Sequence, residues 1–314
     1  MTDQASAPKA RTAAVPGVRP RSWRRTLQRV WNDKIVLLAM LYLVLIVVAA
    51  LASFVLPLES ARTPAIDQRL LSPSLSHPLG TDGLGRDVLA RTLVGSRISL
   101  LVGVAVVVIA GVFGTIMGVI AGYFGGMWDT VIMRIVEIQL AFPNLLLMVA
   151  VIYFFSANIG VLIATLSVVS WMIFARVVRT TVMAVRSSLY VRAAHFAGCS
   201  RFSIIRHHLL PAVAPILLTQ AMLEFAAIIL AESSLSFLGL GVQPPDASWG
   251  LMIAESRPYL EVAWWTVFFP GLAIVTTVLA ANLVGSAFRV WLDPRQDDDP
   301  RARAEAATQN DAAH

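Results

Sequence analysis

Uncharged apolar runs of membrane-spanning length alternate along the chain with polar, turn-rich connections. Residues 35–56 carry no charge and, at ~1.5 Å per residue, cover about 33 Å as a helix, enough for the hydrocarbon layer of a bilayer. This reads as an uncleaved first helix rather than a signal peptide, whose apolar region is shorter. Residues 98–122 form a second run in which Gly114, Gly118 and Gly122 fall four apart, clearing one face for a neighbouring backbone. A third segment, 127–155, is interrupted by Pro143, which removes a backbone donor and predicts a kink or break. Residues 161–174, 211–240 and 263–288 supply a fourth, fifth and sixth helix. The pattern predicts an all-α, polytopic membrane protein with about six transmembrane helices.

Composition agrees: 57% of the 314 residues are hydrophobic and 14% charged, where soluble domains carry about 25% charged residues. The single cysteine, Cys199, excludes an internal disulfide or a thiolate metal cluster. A net charge of +6 could suggest nucleic acid, but the charges sit at membrane boundaries, so the bilayer is the partner and nucleic acid is not. Of 25 Lys and Arg, an N-terminus-inside arrangement places 19 on the inner side and 6 on the outer. The positive-inside rule then puts both termini in the cytoplasm. The expected organisation is a basic cytoplasmic tail (1–34), ending in an amphipathic stretch over 23–31, then a first helix (35–56) and an extracytoplasmic loop (57–97). A five-helix core follows (98–290) with a cytoplasmic loop at 189–211, and a charged cytoplasmic tail (291–314) closes the chain.

Three sets of residues could carry function. The loop LYVRAAHFAGCSRFSIIRHHLLP, residues 189–211, has apolar positions that suit two short helices along the membrane surface, divided at Gly198 by a sharp turn. Such a loop presents a small rigid knob that a soluble partner can grip. In HPLGTDGLGRD, residues 77–87, Gly80, Gly83 and Gly85 allow tight turns, and Asp82, Arg86 and Asp87 can pair to brace an outer loop. Within the fifth helix, Gln220 and Glu224 lie one turn apart on the same face, and either line a wet pathway or satisfy a helix interface; Glu232 follows two turns later. Enzyme chemistry finds no support. The only lysines, Lys9 and Lys34, lack the glycine spacing of a phosphate-binding loop, and adjacent His207 and His208 are not a zinc pair. Gly198, Cys199 and Ser200 lack the second glycine of a nucleophile elbow. No catalytic residue, metal or bound cofactor is expected in this chain.

Arg192, Ala193, Ala194, Gly198, Leu210 and Pro211 occupy the positions of the EAA motif, and the loop resembles that of bacterial ABC importer permeases, with Arg192 standing where the family usually has glutamate. HPLGTDGLGRD and SFLGLGVQPPDASWG (236–250) are similar to the dipeptide, oligopeptide and nickel permeases of the second-subunit type, and the likeness covers about residues 75–295. The resemblance implies a type I ABC importer permease in the bacterial cytoplasmic membrane. Arg192, Ala193, Ala194, His195, Gly198, Ile204 and Pro211 would form the coupling surface. Gln220, Glu224 and Glu232 would be candidates for the pathway, and Asp82, Gly85, Arg86 and Asp87 would shape the outer rim. Implied partners are a second homologous permease subunit, two cytoplasmic ATPase subunits holding ATP and Mg, and an extracytoplasmic solute-binding protein. Short peptides are the expected solute, with nickel or a nickel chelate as the alternative. An ion-coupled secondary transporter is the rival of another class, disfavoured by the docking loop and the lack of a clear internal repeat.

Overall fold

The computed structural model describes residues 33–54, 59–156 and 158–292. The basic tail, its amphipathic stretch and the acidic C-terminal tail fall outside the described residues, apart from Asp33, Lys34 and the end of the last helix. The described chain folds into helices α1 (Lys34–Ala52), α2 (Val88–Phe124), α3 (Gly126–Leu140), α4 (Asn144–Phe155), α5 (Ile159–Arg186), α6 (Leu189–Phe196), α7 (Arg201–Ile204), α8 (Leu210–Phe237), α9 (Trp249–Ser256) and α10 (Trp265–Leu292). Side-chain caps set several of the starts. The carboxylates of Asp33 and Asp87, the Asn158 amide oxygen and the Ser248 hydroxyl each accept from a backbone N–H in the first turn.

Two helices run further than their uncharged stretches suggested. The loop expected over 57–97 ends at Asp87, and Arg91 and Arg97 lie in the first turns of α2. Neither needs a loop: Arg91 is ion-paired, and the Arg97 guanidinium stacks 4.1 Å from the Phe54 ring centroid. Helix α5 likewise continues through Arg176 and Arg179 to Arg186. The break expected at Pro143 is there, with α3 and α4 meeting at 89°.

Close approaches fix the directions of the helices. A Cβ on Gly114 would lie 2.4 Å from the Trp171 carbonyl oxygen, one on Gly118 2.6 Å from that of Ala175, and one on Gly122 2.8 Å from that of Arg179. Residue numbers rise together, so α2 and α5 are parallel, with glycine alone allowing the contact. The bent pair α3–α4 must therefore carry the chain back across the bundle. It does so from Asp129, paired with Arg179, past Gln139, whose amide donates to Val168 O at 2.6 Å, to Ile152, which shares a core cluster with Leu162. Helix α8 is antiparallel to α2, since Gly103 meets Phe225 while Ser99 meets Glu232. Helix α10 is antiparallel to α8, with Gly285 against Met222 and Ile274 clustered with Ile229. Helix α1 is antiparallel to α10: Val36 packs with Ala287, and the Tyr42 hydroxyl lies 2.7 Å from that of Thr276.

Among the described residues six traverses result, five by single helices of membrane-spanning length and apolarity and one by the bent pair. The start of α1, the end of α10, the Gly125 turn and the α6–α7 knob share one end of the bundle; loop 59–87 and α9 occupy the other. Apolar side chains such as Leu38 (67% exposed) and Val275 (60%) face outward, as a lipid-facing surface requires. The protein is a multi-pass membrane protein.

Candidate functional site

At the knob end, Gly198 has φ +83°, a conformation glycine adopts freely, and this residue turns α6 into α7. The turn is closed by N–H donation from Gly198 to His195 O and from Cys199 to Ala194 O, both at 3.1 Å, and the Ser200 hydroxyl caps α7 by accepting from Ser203 N. Val191, Ile204 and Leu209 are buried with Val178 and Val182 of α5 and Val213 of α8, which locks the knob to both helices. Ile204 is thus an anchor facing the bundle, not part of the outward surface. Arg192, Ala193, His195 and Gly198 are exposed, Ala194 is half-buried, and Pro211 is exposed in the first turn of α8. A π-helical turn over Ile205–Leu209 joins α7 to α8 without a break.

At the opposite end, Asp82 organises a compact bracket. Its Oδ1 accepts from Leu84 N and Arg86 N at 2.8 and 2.9 Å, and its Oδ2 accepts from Arg86 Nε at 2.8 Å and Arg91 Nη1 at 2.6 Å. Glu255 of α9 completes it, 3.0 Å from Arg86 Nη2 and 2.8 Å from Arg91 Nη1. Burial by itself would raise the Asp82 carboxyl; the Arg91 and Arg86 charges and the two N–H groups outweigh it and hold the group below its ordinary 3.8. Asp87 caps α2 through Oδ1 and meets His77 Nδ1 at 2.9 Å through Oδ2. Gly85 has φ +79°, and a Cβ there would sit 1.7 Å from Ala65 O, so the bracket admits no side chain at this point. The four residues expected at the rim are therefore brought together, with Arg91 and Glu255 added.

The two intramembrane carboxylates differ. Glu224 is 6% exposed and faces the Ser170 hydroxyl of α5, with half-buried Gln220 one turn away. Glu232 is fully enclosed: Ser236 donates to it at 2.8 Å, Ser99 and Ser233 approach at 3.4 Å, and Ser248 lies beside Ser236 at 3.5 Å. Glu232 ties α2, α8 and the start of α9 together, and within this chain it touches no open passage. Trp249, also fully buried, seals the knot by donating from Nε1 to Thr92 O at 3.0 Å.

A chain of six traverses with a helical knob at one end matches, over residues 114–298, the family described as binding-protein-dependent transport system inner membrane component. The chain belongs to this family. It is similar to "Dipeptide transport system permease protein DppC" of Alkalihalophilus pseudofirmus, 37% identical over 87% of this chain and 90% of the relative. "Glutathione transport system permease protein GsiD" of Pectobacterium atrosepticum is 35% identical over 91% and 97%, and "Probable D,D-dipeptide transport system permease protein DdpC" of Escherichia coli K12 is 38% identical over 88% and 95%. The permease is accordingly a membrane component of a transport system rather than an enzyme. Among its described residues no group of three or more His, Cys, Asp or Glu could hold a metal ion.

Sequence reasoning missed Arg91, Glu255 and the serines around Glu232. The signal for Ser236 and Ser248 lay in the SFLGLGVQPPDASWG string, where Gly241 and Gly250 leave no room for a Cβ; Ser99 and Ser233 lie outside it. Glu255 offered no signal, because its partners lie far back in the chain.

Proposed function

We propose that the permease is one of two membrane subunits of an ATP-driven importer of short peptides in the bacterial cytoplasmic membrane. The observation that carries this reading is the set of relatives named for dipeptide, D,D-dipeptide and glutathione transport, each aligned over nearly the whole chain. The other parts are a second homologous permease subunit, two cytoplasmic ATPase subunits that bind ATP and Mg, and an extracytoplasmic solute-binding protein. The knob end and both termini face the cytoplasm, in keeping with the 19 to 6 distribution of Lys and Arg.

The knob couples because of how it is held. Val191, Ile204 and Leu209 bind it to α5 and α8 together, so a push on α6 moves both helices. Ser170, Gln220 and Glu224 lie on those same two helices, and we assign Gln220 and Glu224 to the pathway wall. Glu232 serves the passage indirectly, by fixing the packing that frames it. The bracket of Asp82, Gly85, Arg86 and Asp87 forms a rigid rim suited to receive the binding protein.

Uptake of a radiolabelled dipeptide by liposomes containing the permease, its partner permease and the ATPase subunits tests the reading. Uptake should require both ATP and the binding protein. Gly198→Pro, which forces φ to about −65° where the turn needs +83°, should abolish uptake and release the ATPases. Peptide uptake driven by an ion gradient without any ATPase would overturn the proposal.

A further inference from the structure

Between Glu137 and Glu224 the sequence contains no Asp or Glu, while it carries Arg176, Arg179, Arg186, Arg192, Arg201 and Arg206. Among the described residues only Arg179 is ion-paired there, with Asp129. A cavity of ≈ 370 Å³ opens between α6 and the ends of α2 and α5. Arg186, Arg192, His195 and Arg201 line it beside Tyr123, and none of its walls is a carboxylate. Three guanidiniums with no carboxylate partner among the described residues, gathered on one small cavity, repel one another and attract an anion. Phe196, which also lines the cavity, and Phe202 are 84% and 71% exposed on helices anchored to the bundle by Val191 and Ile204. Exposed aromatics rimmed by unpaired arginines have the composition of a protein-binding surface.

We propose that the groove receiving this knob is acidic and that one of its carboxylate side chains enters the cavity to meet Arg192 and Arg201. The joint is then inverted in charge relative to one built on a glutamate at position 192. This rests on the reading above in taking the ATPase subunit as the occupant. The inversion also gives specificity: an ATPase whose groove is cationic at this point, as suits a glutamate knob, is repelled.

The test measures retention of the ATPase subunits of this transporter by the full-length permease in nanodiscs. Arg192→Glu and, from a different helix, Arg201→Glu should each weaken binding about tenfold or more, while Arg192→Lys stays within about twofold. Raising salt from about 0.1 M to about 1 M, which shortens the Debye length from ~10 Å to ~3 Å, should weaken the wild type and spare Arg192→Glu. An Asp→Lys or Glu→Lys substitution in the ATPase groove should restore binding to Arg192→Glu. Wild-type binding by both reversed variants at low salt would overturn the acidic groove and leave the importer reading standing. Dependence of wild-type binding on phosphatidylglycerol, with all ATPase carboxylate substitutions silent, would make the cavity a lipid site and equally overturn it. If even the wild type retains no ATPase, the proposed function itself falls.

Discussion

Arg91 holds two carboxylates on one nitrogen while its side chain is 3% exposed, so it is the residue on which the outer bracket depends. Removing one partner of a buried ion pair costs ~3–5 kcal/mol, because the group left behind keeps its desolvation penalty without its attraction. Arg91→Met should therefore lower the unfolding temperature of the detergent-solubilised permease well beyond the effect of Arg62→Met on an exposed arginine of the loop that precedes α2. The bracket also has a defined acid limit. With the Asp82 carboxyl held below 3.8 in the folded state, its contribution is complete above that value and disappears as pH falls through the lower folded value. Hydrogen-exchange protection factors at the amides of residues 79–87, corrected for the intrinsic pH dependence of exchange, should be as high at about pH 5 as at neutrality and should fall only well below about pH 4. Asp82, Arg86 and Asp87 stood out in the sequence because three charges among three glycines in a short span imply a braced turn. Their further charged partners, Arg91 and Glu255, join them only in the tertiary fold.

The same contrast between local and distant information governs the elements. A glycine at every fourth position announced that α2 approaches another backbone, and only the fold shows that α5 is the neighbour and that it runs parallel. The contact has no slack: a Cβ on Gly118 would lie 2.6 Å from Ala175 O and 2.7 Å from Val178 Cβ. Overpacking of this kind costs ~1–3 kcal/mol even where neighbours relax, and here one of those neighbours is backbone. Gly118→Val should sharply reduce the monodisperse fraction on size-exclusion chromatography, whereas Gly271→Ala in α10, with nothing within 4 Å of the added carbon, should behave as wild type. Helix ends were less legible than helix centres. An uncharged run marks where a helix is unconditionally apolar, and arginines that find partners let α2 and α5 extend past that mark. The knob was legible because its cause is local: Gly198 turns the chain, and apolar spacing on either side makes two short helices. The inward role of Ile204 was not, since spacing alone does not say which side of a short amphipathic helix meets the bundle.

For the whole molecule, the decisive element is the bent pair α3–α4. If a break of 89° at Pro143 merely returned the chain to the same end, α5 would have to run opposite to α2, and the knob would share an end with the Asp82 bracket. The rising contacts of Gly114, Gly118 and Gly122 along α5 exclude that arrangement. Bracket and knob consequently lie at opposite ends, and the proposed orientation puts the knob in the cytoplasm. The single cysteine makes this measurable without engineering the knob, because Cys199 is exposed on it. A membrane-impermeant maleimide should label Cys199 in inside-out vesicles and leave it untouched in intact spheroplasts. In a Cys199→Ala background, a cysteine placed at Leu75, fully exposed on the bracket loop, should give the reverse pattern. Labelling of both positions from one side would mean that α3–α4 does not cross. Labelling of the two from opposite sides, but with Cys199 outside, would keep the fold and invert the orientation, and the ATPase-docking role of the knob would fail with it.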